Sequence, residues 1–160
     1  MKRQNNKTAL VSAVDLLALR PHSTKELFTK LKKRGYVEEE INEALARLIA
    51  RHYLDDTDLC QRQCQMYLSE QRRSIRAIKY KLVEKGFTAS DIEEALAQSK
   101  LDFGEYECEV CLRHLHMHYR PSTADRAKCQ AYLYRKGFSS SSIRQAVDIY
   151  FEEIASQIDE

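Results

Sequence analysis

The sequence predicts an all-α protein made of three tandem three-helix repeats that form an elongated, curved helical array. Three observations support this fold class: a repeat of constant period, apolar residues at helical spacing, and few residues suited to tight turns. The chain has 160 residues, of which four are glycine and two are proline. This is too few for a sheet protein with many hairpins. Apolar residues make up 43% of the chain, which is enough to build a core.

The repeat is marked by three glycines, each preceded by a basic residue and followed by an aromatic one. Gly35, Gly86 and Gly137 are 51 residues apart in both intervals. An isoleucine follows each glycine six residues later, at Ile41, Ile92 and Ile143. A fixed period with matched apolar positions is typical of a repeat architecture, in which neighbouring units share a core.

Each unit is predicted to contain three helices, because its apolar residues recur at spacings of three and four. In the first unit the stripes are Leu10, Val14 and Leu17, then Leu27 and Leu31, then Ile41, Ala44, Leu45, Leu48 and Ile49. The resulting domain boundaries are a disordered tail at 1–8, repeat 1 at 9–56, repeat 2 at 57–104, repeat 3 at 105–155 and a tail at 156–160.

The ends of the middle helices carry start and stop signals. Ser23, Ser74 and Asp125 occupy equivalent positions and are good N-caps, and Glu26 completes a capping box with Ser23. The glycines suit the left-handed residue of a Schellman stop. Thr88 and Ser139 are placed to cap the third helices.

Net charge is only +2, but its distribution repeats with the structure. Residues 20–36 and 71–87 each hold six basic and one acidic residue, and residues 122–138 hold four basic and one acidic. The third-helix windows 38–48 and 89–99 each sum to −3. The middle helix of every unit is therefore basic, which favours a surface for nucleic acid or for a protein that carries it. The alternative is that these cations only keep an exposed helix soluble.

Several segments together resemble the RecX family of bacterial regulatory proteins. The step Tyr53-Leu54-Asp55-Asp56 lies between two helical repeats, as in that family. Further similar segments are Lys85-Gly86-Phe87, Arg135-Lys136-Gly137-Phe138 and the stretch from Ala18 to Leu31. The similarity extends over about residues 9 to 155. One departure is the loop 69–74, which has no glycine where the family often has one.

The resemblance implies a regulatory protein that binds the RecA recombinase filament on DNA. It implies inhibition of RecA's ATPase, strand-exchange and coprotease activities, and so a role in recombination, DNA repair and the SOS response. The expected partners are the RecA filament and, weakly through phosphates, single- and double-stranded DNA. We expect a cytoplasmic monomer with no membrane partner, no cofactor and no enzymatic activity.

The candidate contacts for RecA and DNA are the cations of the middle helices. They are Lys32, Lys33, Arg34, Arg72, Arg73, Arg76, Lys79, Lys81, Arg126 and Lys128. The residues of the family signature, Tyr53, Leu54, Asp55, Asp56, Gly86 and Gly137, are expected to be structural, with the two aspartates capping a helix rather than binding a metal. No catalytic residue is expected.

Other hypotheses remain open at this stage. The chain could be a helical DNA-binding protein independent of RecA, or a scaffold that binds only protein. Cys108 and Cys111 form a C-x-x-C, and with His114 and His118 they invite a zinc or thiol interpretation. A packing role for these four residues is the simpler alternative. Most of the nine tyrosines are expected to pack between helices, although some could stack on bases.

Overall fold

A computed structural model of the chain describes residues 7–158, and every regular element in that range is helical. The all-α prediction is therefore confirmed. The helices are α1 (Ala9–Leu19), α2 (Thr24–Lys33), α3 (Glu38–Ala50), α4 (Asp56–Ser69), α5 (Ile75–Glu84), α6 (Ala89–Gln98), α7 (Phe103–His118), α8 (Arg126–Arg135) and α9 (Ser140–Ile158). A short 3₁₀ turn, Pro121–Thr123, precedes α8.

The helix order follows the predicted succession of three helices per repeat. The middle helices are α2, α5 and α8, and each ends at one of the three repeat glycines. The repeat boundaries themselves stay a prediction. Of the predicted tails, residues 1–6 and 159–160 lie outside the described residues, while residues 156–158 continue helix α9.

The described residues fall into two compact units that do not coincide with the repeats. Unit 1 runs to Gln63 and also includes Leu82–Leu96. Unit 2 contains Cys64–Lys81 and the chain from Ala97 onward. Helices α4 and α5 therefore contribute residues to both units.

The core of unit 1 forms where α1 and α2 pack on α3. Its buried residues are Ala13, Leu16, Leu27, Leu31, Ile41, Leu45, Leu48 and Leu54, with Leu10 and Leu17 partly buried against them. Two predicted core positions are wrong, because Val14 and Ile49 are 49% and 48% exposed. In α1 the small residues Ser12 and Ala13 face the core instead of Val14, which allows the helices to approach closely.

The core of unit 2 is built mainly by α7, which packs along α9, with α8 covering both. Its fully buried side chains include Val110, Leu115, Leu133 and Val147. Tyr150 is also buried, and its hydroxyl donates to the backbone carbonyl of Tyr119 at 3.2 Å. The hydroxyl of this buried tyrosine thus has a hydrogen-bond partner at the edge of the core.

The middle helices stop as the sequence predicts. Gly35, Gly86 and Gly137 have φ values of +94°, +94° and +88°. In the last copy, the amide of Phe138 donates to the carbonyl of Leu133 at 3.4 Å, and the amide of Gly137 donates to that of Tyr134 at 2.9 Å. These two bonds define a Schellman motif, and the other two copies have the same pair.

The predicted N-caps are also formed, with one difference. The Asp125 carboxylate accepts from the amide of Lys128 at 2.9 Å, and Ser23 and Ser74 cap their own helices in the same way. Thr88 and Ser139 cap the third helices. The Glu26 carboxylate does not complete the predicted capping box, since it pairs with Arg20 at 2.8 Å.

None of the described helices combines the length and apolar composition needed to cross a bilayer.

Candidate nucleic-acid and partner interface

A serine hydroxyl joins two middle helices in unit 2. The Ser74 hydroxyl accepts from the amide of Ala77 at 3.1 Å, which caps the start of α5. The same hydroxyl donates to the carbonyl of Lys136 at 3.0 Å, just past the end of α8. One side chain thus satisfies an unpaired amide of one helix and an unpaired carbonyl of another. The N-terminus of α5 therefore contacts the C-terminus of α8.

Unit 1 repeats this junction 51 residues earlier. The Ser23 hydroxyl accepts from the amide of Glu26 at 3.1 Å and donates to the carbonyl of Lys85. The N-terminus of α2 thus contacts the C-terminus of α5. In both units, the middle helix of one copy begins at the glycine turn of the copy that follows it in sequence.

The glycine turns make room for a cation from the preceding copy. A methyl group added to Gly86 would lie 2.5 Å from Cβ of Lys25. A methyl group added to Gly137 would lie 3.6 Å from Cδ of Arg76 and 3.1 Å from the Ser74 hydroxyl. Lys25 and Arg76 occupy equivalent positions, so at each junction the aliphatic part of one basic side chain packs against a glycine. Lys25 was not among the predicted contact residues, although it lies 51 residues before Arg76, which is the period of the repeat.

Acidic side chains complete the junctions from a neighbouring helix. Glu107 on α7 is only 5% exposed, and its two carboxylate oxygens accept from the amides of Ile75 at 3.0 Å and Ser139 at 2.9 Å. Asp56 on α4 accepts from the amide of Thr24 at 2.9 Å. Helix N-termini stabilise such carboxylates, which explains how Glu107 can be buried without a cationic partner in the described chain.

The family signature therefore has several structural contacts. Leu54 is buried in the unit 1 core, and the Asp55 carboxylate accepts from the amide of Asp58 at 3.0 Å. The predicted capping of α4 is confirmed for Asp55, whereas Asp56 caps α2 instead. Tyr53 is 69% exposed. Neither aspartate belongs to a group that could hold a metal, within residues 7–158.

At least four of the ten predicted contact residues are engaged within the chain. Lys32 pairs with Glu38, Arg34 donates to the Ser12 hydroxyl at 2.6 Å, Arg73 pairs with Glu70, and Arg126 pairs with Asp148. Arg73 and Arg126 also lie over the rings of Tyr67 and Phe151, at 5.0 Å and 4.9 Å from the centroids. These contacts reduce the availability of these cations to a partner.

The remaining predicted residues fall into two groups. Lys79 is partly buried in α5. Across the described chain, no acidic side chain pairs with the other five, which are Lys33, Arg72, Arg76, Lys81 and Lys128. Of these five, Lys33, Arg72, Arg76 and Lys128 are exposed, and Lys81 is partly buried. Arg72 lies in the loop before α5 and Arg76 in its first turn, so these two exposed cations are close in sequence.

The cysteines of α7 are buried, and two of its histidines make hydrogen-bond or ring contacts. Burial raises the pKa of the Cys108 and Cys111 thiols, and the charges of Glu109 and Glu107 respectively act in the same direction. His114 donates through Nε2 to the carbonyl of Arg72 at 2.9 Å. His118 stacks on Tyr132 with centroids 4.4 Å apart. No group of three potential ligands is positioned for a metal ion among the residues described.

The tyrosines divide by exposure. Tyr67, Tyr106 and Tyr150 are buried, and burial followed by the charge of Glu107 raises the pKa of Tyr106 to about 12. The prediction that tyrosines pack between helices fits these residues. Tyr80 and Tyr134 do not pack in this way, since they are 65% and 70% exposed on the middle helices α5 and α8.

Comparison with known proteins agrees with this architecture. The family descriptions of the first and third three-helix domains of RecX match residues 9–48 and 107–147. The chain is 30% identical to regulatory protein RecX of Chlorobaculum tepidum over 100% of this chain and 99% of that relative. It is 32% identical to regulatory protein RecX of Pseudomonas fluorescens over 82% of this chain and 84% of that relative.

Solved structures show the same fold. A crystal structure of regulatory protein RecX superimposes with a TM-score of 0.76 at 25% identity, covering 88% of this chain and 70% of that one. The crystal structure of RecX from Lactobacillus salivarius gives a TM-score of 0.70 at 20% identity, covering 94% of both chains. With its three-helix repeats and its matches over nearly the full length, the chain belongs to the RecX family of regulatory proteins.

Proposed function

We propose that this chain binds a RecA recombinase filament on DNA and inhibits the filament's ATPase, strand-exchange and coprotease activities. The observation that supports this most directly is the exposure of Arg72 and Arg76 without an acidic partner in the described chain. Unpaired arginines can bind phosphates or carboxylates in bidentate fashion at a partner surface. Membership in the RecX family supplies the identity of the partner.

The proposed contacts are these two arginines together with the other cations of the basic middle helices. Lys33, Lys81 and Lys128 would add long-range attraction toward a polyanion. Arg73 and Arg126 would contribute less, because each already has an acidic partner and an aromatic ring beneath it. Attraction of this kind weakens as salt concentration rises.

The test measures the DNA-dependent ATPase of RecA with this protein at substoichiometric amounts. The natural sequence is expected to slow hydrolysis, and Arg72→Glu/Arg76→Glu is expected to raise the amount needed for half-inhibition by about tenfold or more, which corresponds to ~1.4 kcal/mol. The matched control is Arg62→Glu/Arg144→Glu. It changes net charge equally, at exposed positions outside the middle helices.

Two outcomes would count against the proposal. The first is an unchanged ATPase rate at every ratio of the natural protein to RecA. The second is equal loss of inhibition in both double variants, which would indicate an effect of net charge alone. If the protein bound bare DNA tightly but left RecA unaffected, a DNA-binding role independent of RecA would replace this one.

A further inference from the structure

One helix of unit 2 holds the connection between α4 and α5 through four of its residues. The segment 71–75 runs along this connection to the first residue of α5, and the side chain of Arg72 is exposed on it. Side chains of α7 make hydrogen bonds to Gln71, Arg72, Arg73 and Ile75. All of these residues belong to unit 2.

Two side chains of α7 donate to successive backbone carbonyls of the segment. The Tyr106 hydroxyl donates to the carbonyl of Arg73 at 3.0 Å, and Nε2 of His114 donates to the carbonyl of Arg72 at 2.9 Å. Tyr106 is only 6% exposed, so the packing of its ring fixes the position of its hydroxyl. The two peptide units that follow Arg72 are therefore held in a defined orientation.

Gln71 adopts a backbone conformation that needs support from its surroundings. Its φ of +47° lies in the left-handed region, which is unfavourable for a residue with a side chain. Such a conformation persists only where neighbouring contacts hold it. The Arg113 guanidinium supplies one of these contacts, since it donates to the side-chain oxygen of Gln71 at 2.5 Å.

The equivalent junction of the first copy indicates which of the four bonds belongs to the repeat. The carboxylate at the start of the segment's helix occurs in both junctions. Glu107 accepts from the amide of Ile75 at 3.0 Å, and Asp56, 51 residues earlier, accepts from the amide of Thr24 at 2.9 Å. This bond therefore recurs with the repeat.

The three donors of α7 do not recur. The residues 51 positions before Tyr106, Arg113 and His114 are Asp55, Arg62 and Gln63. Asp55 accepts from the amide of Asp58, Arg62 pairs with Asp58, and within residues 7–158 none of the three bonds to residues 20–22. The residue equivalent to Arg72 is Pro21. The three donors thus accompany the arginine at this position rather than the repeat itself.

An ordered backbone helps an arginine to bind an anion. A flexible segment loses conformational freedom when it binds, and a segment that is already ordered loses less. A guanidinium also needs a defined approach to make bidentate bonds to a carboxylate or a phosphate. Both effects raise affinity without any further contact to the partner.

We propose that Tyr106, Arg113 and His114 are positioning residues, which hold the segment 71–75 in the conformation from which Arg72 binds an anionic group of the filament. This inference rests on the proposed function, in which Arg72 is a contact residue. It adds three residues of α7 that act on binding through the segment.

The test compares two double variants that lose similar groups from unit 2. Tyr106→Phe/Arg113→Ala removes two of the bonds to the segment and keeps the buried ring. The matched control is Tyr150→Phe/Arg144→Ala. It removes the hydrogen bond from the buried Tyr150 hydroxyl to the Tyr119 carbonyl and an exposed arginine of α9.

Hydrogen exchange of the free protein, followed by mass spectrometry, gives the first readout. The amides of the segment 71–75 should exchange about tenfold faster in Tyr106→Phe/Arg113→Ala, because the segment opens more often. They should exchange at the natural rate in the control variant, whose lost bond lies elsewhere in the unit.

Inhibition of the DNA-dependent ATPase of RecA gives the second readout. Tyr106→Phe/Arg113→Ala should raise the amount needed for half-inhibition by about fivefold, and the control should change it by less than about twofold. In an Arg72→Ala background the same two changes should add less than about twofold, because the segment then presents no guanidinium. A purely structural role, or a direct contact by Arg113, would add its full effect in both backgrounds.

Unchanged exchange of the segment in Tyr106→Phe/Arg113→Ala would overturn this inference alone, since that measurement contains no RecA. Faster exchange with undiminished inhibition would also overturn it, and so would an equal loss of inhibition in the control variant. Failure of the natural protein to inhibit RecA would refute the proposed function, and this inference with it.

Discussion

Gly86→Ala should destabilise the protein far more than Gly35→Ala, although both glycines end a middle helix with φ of +94°. A non-glycine residue in a left-handed conformation costs about 1–2 kcal/mol, and both variants share that cost. They differ in what the new methyl group meets. At Gly35 no atom lies within 4 Å, whereas at Gly86 Cβ of Lys25 is 2.5 Å away.

The contact at Gly86 cannot be relieved by rotating a side chain. Cβ of Lys25 is attached directly to the backbone of α2, so α2 must shift away from the end of α5. Overpacking of this kind costs about 1–3 kcal/mol more, because it displaces backbone rather than a flexible side chain. We expect Gly86→Ala to lose about 2–5 kcal/mol in total, against about 1–2 kcal/mol for Gly35→Ala.

Urea unfolding followed by circular dichroism measures both variants. Gly86→Ala/Lys25→Gly supplies a double-mutant cycle, because the second change removes the clashing Cβ. The double variant should be more stable than the sum of the two single effects predicts. If Gly86→Ala lost no more stability than Gly35→Ala, the close approach of α2 to the turn after α5 would be refuted.

Three further changes follow from contacts in the structure. Ser74→Ala should lower the free energy of unfolding by about 1–2 kcal/mol, because the hydroxyl both caps α5 and donates to the Lys136 carbonyl; urea unfolding measures this. Gln71→Gly should raise that free energy by about 0.5–1 kcal/mol in the same assay, since Gln71 has φ of +47°. The increase in stability is reduced because Gln71→Gly also removes the hydrogen bond that the Arg113 guanidinium donates to the Gln71 side chain. His22 should make stability fall as pH drops below about 6.5, because burial lowers its pKa in the folded state and the unfolded chain takes up the proton first. A His22→Gln variant should show a weaker decline in melting temperature between pH 7.5 and pH 5.

Local helix signals made much of the fold predictable. A serine or aspartate cap, a leucine, and a glycine followed by an aromatic residue define the middle helices at fixed spacing, and these features depend on neighbours in the chain. Val14 was misplaced because the sequence cannot reveal how closely two helices approach. Ser12 and Ala13 are the residues of α1 that face the core at this point, and the larger Val14 is exposed.

The candidate site was predictable only as a set of charges. The excess of cations in the middle helices is visible in the sequence, but their availability depends on partners distant in the chain. Arg126 pairs with Asp148, and Arg34 donates to Ser12, each across 22 residues. The turn at Gln71 could not be predicted from the sequence either. Gln71 adopts the left-handed conformation that usually indicates glycine, so the loop 69–74 turns without containing a glycine.

The third copy departs from the first two where its middle helix begins, since Asp125 stands in place of Ser23 and Ser74. A carboxylate can accept from helix amides as a hydroxyl does, and Asp125 accepts from Lys128 at 2.9 Å. An ionised carboxylate has no proton to donate to the last carbonyl of another helix. Each serine donates to the turn of the following copy, and within residues 7–158 no copy follows the third. At Gly35 a methyl group would meet nothing within 4 Å. Serine thus stands where the side chain both accepts from its own helix and donates to a glycine turn, as Ser23 and Ser74 do, and aspartate stands where the side chain accepts from the amide of Lys128.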